Sequence, residues 1–111
     1  MKDFYDIYYL SRMFDFDGPK LQTAIQETLL NRGTVYEKDS FDRVIALADD
    51  EDMQIKWRYF LKTLGNPELS FETVISGLQD FLGPVWNCIL AEAEFLMNWQ
   101  AINTDWTKGD A

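Results

Sequence analysis

Residues 71–100, FETVISGLQDFLGPVWNCILAEAEFLMNWQ, decide how the fold of this chain is read. Phe71, Val74, Ile75, Leu78, Phe81 and Leu82 recur at the spacing of one apolar helical stripe. Ser70 stands where an N-cap belongs, and Gly83-Pro84 reads as the break that ends this helix. Between Val85 and Gln100 apolar residues lie almost all round: Trp86, Ile89, Leu90, Ala93, Phe95, Leu96, Met97 and Trp99. Asn87, Glu94 and Asn98, with Glu92 beside them, make the only polar ridge. The pattern predicts a last helix over 85–100, apolar enough to bury one side and offer another to a partner or a second copy of the chain.

Upstream the same period recurs. Trp57, Phe60, Leu61 and Leu64 mark a helix over 53–64, closed by Gly65-Asn66-Pro67. Asp49-Asp50-Glu51-Asp52 precedes it. Acids at that place suit a helix N-terminus, and their spacing lacks the Asp-x-Asp-x-Asp-Gly order of a calcium loop. Ser40 is the expected cap of a short helix through Val44, Ile45 and Leu47, after a polar linker over 34–39. Asp17 and Pro19 open a helix with Leu21, Ala24, Ile25, Thr28 and Leu29 inward and Gln22, Gln26 and Glu27 opposite. Gly33 is its expected C-terminal residue with positive φ.

The first helix, over 2–14, carries Phe4, Ile7, Ser11 and Phe14 on one stripe flanked by Leu10 and Met13. Tyr5, Tyr8, Tyr9 and Arg12 widen it, which predicts burial on more than one side and a central packing role. Core packing accounts for tyrosines at that spacing better than base stacking does. No strand pattern exceeds a few residues. The expectation is an all-α fold: a single domain of five to six helices in an irregular bundle over 1–102. Residues 103–111 are expected to be a frayed tail, with Trp106 able to anchor it.

The totals narrow the chemistry. The chain has 111 residues, 47% hydrophobic and 15% aromatic, enough for a real core. Ten Lys and Arg against 19 Asp and Glu give a net charge of −9, so nucleic acid is not an expected partner of this chain alone. Having no histidine and the single cysteine Cys88, it offers no zinc set, hydrolytic triad or internal disulfide, and it suits a reducing, cytoplasmic setting. No apolar run reaches the roughly 18–20 residues that span a bilayer. Neither Gly-x-x-x-x-Gly-Lys nor Gly-x-Gly-x-x-Gly is present, so a self-contained enzyme is not expected.

Lys2-Asp3-Phe4-Tyr5-Asp6-Ile7, then Leu10-Ser11-Arg12 and Phe14-Asp15-Phe16-Asp17-Gly18, carry a more specific signal. Together they resemble the AbiEii/AbiGii abortive-infection toxin family of nucleotidyltransferases, whose last catalytic-region motif has the form Arg-x-Lys-Asp-x-Tyr-Asp-hydrophobic. Arg32-Gly33-Thr34, Gln54-x-x-Trp57-x-x-Phe60-Leu61 and Phe81-Leu82-Gly83-Pro84-Val85 extend the resemblance in the same order. Members of that family begin with an α/β core that holds Mg²⁺ and a nucleoside triphosphate. Its Gly-rich motif and acidic pair are not in this sequence, and the motif's leading Arg would fall before Met1. The resemblance is therefore to the C-terminal helical part.

On that resemblance Asp3 would be an acid/base or positioning carboxylate, Lys2 a point charge beside phosphate, and Asp6 a support for the same turn. The implied function is a helical domain or fragment of a nucleotidyltransferase-like toxin of a toxin–antitoxin or abortive-infection system, inactive alone. Its partners would be a nucleotidyltransferase core or a cognate antitoxin. The residues by themselves allow plainer roles: Asp3 and Asp6 favour a helix N-terminus, and Lys2 can pair with Asp6 at i, i+4. A free-standing interaction module, dimeric through the helix over 85–100, is the alternative. An enzyme using only Asp3 and Asp6 with a metal is the weakest, because two carboxylates make a poor site.

Overall fold

Three helices of this chain begin where a side chain is placed to accept from the backbone three residues on. Asp17 Oδ1 accepts from the Lys20 amide at 3.1 Å ahead of Gly18–Asn31. Asp50 Oδ1 accepts from Met53 at 3.0 Å ahead of Glu51–Leu64, and Ser70 Oγ from Thr73 at 3.1 Å ahead of Phe71–Leu90. Each satisfies a first-turn donor that the helix cannot. With Lys2–Met13 and Ser40–Ala46 these are the five α-helices among the described residues of the computed structural model, α1 (Lys2–Met13), α2 (Gly18–Asn31), α3 (Ser40–Ala46), α4 (Glu51–Leu64) and α5 (Phe71–Leu90). The structure describes residues 2–33, 35–65 and 68–108. Thr34 of the linker, and Asn66 and Pro67 after α4, lie outside them.

Gly33 has φ +61° at the end of α2, as expected. The expected cap of α3 is corrected. Ser40 is the first residue of that helix, and its Oγ accepts from the Glu37 amide at 2.7 Å while Asp39 takes the cap position. The four acids before α4 divide between a 3₁₀ turn over Leu47–Asp49, the Asp50 cap, and the first-turn residues Glu51 and Asp52. The cap-and-dipole reading describes them.

The largest correction concerns 71–100. Gly83-Pro84 does not end the helix, and α5 runs through both to Leu90. Phe81, Val85 and Ile89 are spaced by four across the proline and are all buried. Keeping that stripe in the core outweighs the roughly 3 kcal/mol that an interior proline costs. The Phe81 carbonyl, within the turn the proline disturbs, accepts from Trp106 Nε1 at 2.9 Å.

The helix expected over 85–100 stops at Leu90. Residues 91–96 are irregular, and Met97–Gln100 is a strand (β2) between Phe16–Asp17 (β1) and Asp105–Lys108 (β3). Both pairings are antiparallel, with Phe16 opposite Trp99 and Trp99 opposite Trp106. The fold is helical with a small three-stranded sheet, not all-α. The expected tail from residue 103 is likewise corrected, because β3 brings Trp106 into the core; residues 109–111 lie outside the described residues. Period two explains β2: Trp99 is buried while Asn98 between its neighbours is exposed.

The core forms two clusters strung along α5. Its first half packs Phe71, Val74, Ile75 and Leu78 on Trp57 and Leu61 of α4. Its second half packs Phe81, Val85 and Ile89 on Phe95, Trp99 and Trp106. Phe81 stacks on Trp106 at 5.8 Å and meets Trp99 edge-on at 4.9 Å. α5 is thus the central element, and the role expected of α1 is corrected, since α1 fully buries only Ser11. α1 lies close against α5 where Gly77 faces the Tyr8 ring; a Cβ there would come within 2.7 Å of it. No helix among the described residues is long and apolar enough to cross a membrane.

Candidate functional site

Two kinds of residue hold the first turns of α1. Phe4 meets Phe71 edge-on at 5.5 Å, and Tyr5 meets Phe60 at 5.8 Å and Tyr9 at 6.2 Å. These contacts seat the helix start on α4 and on the start of α5. Lys2, Asp3 and Asp6 fall on the opposite, exposed face, within about one and a half turns. That outward face continues through Tyr9, Leu10 and Met13, all exposed. It is charged at its start and apolar at its end.

The expected pairing of Lys2 with Asp6 is not formed. Among the described residues the ion pairs join Arg43 to Glu37 and Asp39, each at 2.7 Å. The hydrogen bond from Arg43, more than its charge, holds the Asp39 carboxyl below its usual range. Lys2, Asp3 and Asp6 are exposed and without ion-pair partners among the described residues, and they line none of the pockets described.

The same edge bears on the Mg²⁺ and triphosphate that the resemblance implies. Among the described residues no three acidic, cysteine or histidine side chains come together as a metal site. Asp3 and Asp6 offer two carboxylates on an open surface, and Mg²⁺ with a triphosphate needs more enclosed oxygen ligation than that. The residues present do not fit the group.

The tyrosines behave as core residues. Tyr5 and Tyr8 are half-buried, and Arg12 covers the Tyr8 ring at 4.8 Å. Ser11, 1% exposed, donates from Oγ to the Tyr8 carbonyl at 2.6 Å, while its own carbonyl accepts from Trp99 Nε1 at 2.6 Å. The sheet is thereby tied to the helix that bears the candidate residues. Gln22, expected on the outer side of α2, is buried. Its Nε2 donates to the Ala93 carbonyl at 2.6 Å and its Oε1 accepts from the Phe95 amide at 2.8 Å, clamping the irregular segment after α5. No local pattern could signal this role, because both partners lie more than 70 residues away.

The family model of the nucleotidyl transferase AbiEii toxin, Type IV TA system, matches residues 1–77. The chain belongs to this family. The match takes in the Lys2-Asp3 turn, α1 to α4 and the first part of α5, and it ends before the sheet strands β2 and β3. No curated protein and no solved structure matches the chain. An AbiEii-type toxin is nucleotidyltransferase-like and works in a toxin–antitoxin system, so a cognate antitoxin goes with the family.

Proposed function

We propose that this chain is a helical domain of an AbiEii-type nucleotidyltransferase, and that its Lys2–Asp3–Asp6 edge borders the cleft in which a nucleotide passes from a triphosphate to an acceptor, with RNA as the acceptor class. The observation that carries this reading is the family match over 1–77, because it includes a turn whose charged residues are exposed and, among the described residues, not spent on ion pairs. Asp3 takes the proton from the acceptor hydroxyl or positions that hydroxyl. The hydroxyl oxygen forms a bond to the α-phosphorus, the bond from that phosphorus to the bridging oxygen breaks, and diphosphate leaves. Lys2 lies beside phosphate as a compact charge. Asp6, one turn on, supports the same edge.

The metal and the triphosphate belong to residues other than these, so the chain alone is silent. The test is nucleotide transfer from radiolabelled triphosphates to RNA, by this chain alone and by the chain joined to the α/β core of a family member. No transfer is expected from the chain alone. In the joined protein Asp3→Asn is expected to lower transfer at least about 100-fold, the usual scale of acid–base catalysis, and Asp6→Asn to lower it less. Transfer by the chain alone would overturn the silent reading, and full activity in Asp3→Asn would remove the role given to Asp3.

A further inference from the structure

The outer face of α4 gathers the charge that is scarce in the rest of this acidic chain. Lys56, Arg58 and Lys62 bring three of the ten cations within seven positions of one helix, and all three are exposed. Among the described residues the ion pairs belong to Arg43, so none of these three is spent on one. Tyr59, 66% exposed, stands between them around the helix, with Arg58 and Lys62 on one side and Lys56 on the other. Lys62 Nζ lies over the Tyr59 ring at 5.2 Å. Ile55, Arg58, Tyr59 and Lys62 line an open hollow of about 180 Å³ on this face. The acids of α4 nearest to it, Glu51 and Asp52, are confined to the first turn. Glu68 and Glu72 share a separate hollow with Arg58 and do not pair with it.

Core packing does not account for an exposed aromatic ring set among cations, and the helix dipole favours only Lys62, in the last turn. Single-stranded nucleic acid matches both features at once: cations meet its phosphates, and an aromatic ring takes a base whatever its sequence. An acidic peptide would meet the cations and leave Tyr59 without a role. We infer that the outer face of α4 binds a single strand of nucleic acid, with Lys56, Arg58 and Lys62 meeting phosphates and Tyr59 stacking on one base. The net charge of −9 predicts no such partner for the chain as a whole. At about 0.1 M salt, however, the Debye length is about 10 Å, so a strand lying on α4 answers to the charges it touches. This binding uses no residue of the Lys2–Asp3–Asp6 edge and stands independently of the nucleotide-transfer reading.

The experiment is fluorescence anisotropy of a fluorescein-labelled oligouridylate of about 12 nucleotides, within the span of single-strand sites, with the whole chain at about 0.1 M salt. Saturable binding is expected. Tyr59→Leu is expected to weaken it at least about fivefold, the lower end of what a stacked base contributes, while Tyr59→Phe keeps the ring and the affinity. Arg58→Gln combined with Lys62→Gln is expected to shorten the slope of log affinity against log salt by about 1.4, at about 0.7 for each phosphate contact on a single strand. The substituted positions are exposed, so far-ultraviolet circular dichroism should not change, and Tyr59→Leu against Tyr59→Phe still decides if the double variant fails to fold. Unlabelled oligothymidylate is expected to compete, since stacking and phosphate contacts do not read the 2′-hydroxyl. Absence of saturable binding, equal affinity in Tyr59→Leu and the unaltered chain, or an unchanged salt slope in the folded double variant would overturn the inference. Polyglutamate that binds this face more tightly than the oligonucleotide would overturn it in favour of an acidic peptide.

Discussion

Glycine shows how one residue type meets two different demands. A Cβ on Gly18 would run into the Met97 carbonyl oxygen, where the start of α2 touches the strand β2. That neighbour is backbone and cannot swing aside. Gly18→Ala is expected to cost about 3 kcal/mol, the upper part of the range for overpacking. Gly33 meets nothing within 4 Å, but its φ of +61° is one that L side chains rarely adopt. Gly33→Ala is expected to cost only about 1 kcal/mol. Urea denaturation of both variants checks the order, and an equal loss in the two would refute the contrast. Of the two glycines, only the second announced itself, because its place after a helix is local. The closeness of residue 18 to residue 97 is not. The caps at Asp17 and Ser70, and the place of the acidic run at the start of α4, were legible for the same reason as Gly33, and the clamp made by Gln22 was hidden for the same reason as Gly18.

At the scale of elements, the stretch over 71–100 was misread in two places by two strong local signals. Gly-Pro predicts a break, yet the spacing of Phe81, Val85 and Ile89 carries one buried stripe across it. The greasy residues after Leu90 suggest more helix, yet their partners are strands at positions 16–17 and 105–108. A four-residue strand has too few positions for its alternation to stand out from a helical pattern. Trp106 is the joint between these elements, through its stacking on Phe81 and its bond to the Phe81 carbonyl. Trp106→Ala is expected to cost about 3–5 kcal/mol, as truncations of buried aromatics do. Amide hydrogen exchange is expected to rise first in β2 and β3, with α4 still protected, because α4 packs in the other cluster. Uniform loss of protection across the chain would show that the two clusters open together.

Over the whole molecule, charge and core answer to different rules. A net charge of −9 on 111 residues repels itself in the folded state. Raising sodium chloride from 0.05 to 0.5 M is expected to raise Tm by about 4 °C, since screening shortens the reach of that repulsion. A falling Tm would show that attractive pairs outweigh it. The candidate edge was legible in one respect: the order of residues Lys2, Asp3 and Asp6 pointed to the family. That they stand exposed and, among the described residues, without ion-pair partners, on a helix tied to a distant sheet through Ser11 and Trp99, was not. By itself the sequence determined the helices that have local stripes and caps, which depend on residues within a few positions of one another, and the acidic character and the family, which are read from composition and from the order of motifs without reference to any contact. The tertiary structure alone decided that α5 passes through its proline, that the chain after it turns to strand, and that α5 rather than α1 is the centre. Those outcomes depend on contacts among residues from opposite ends of the chain, where the burial of Phe81, Trp99 and Trp106 together outweighs what each segment would prefer alone.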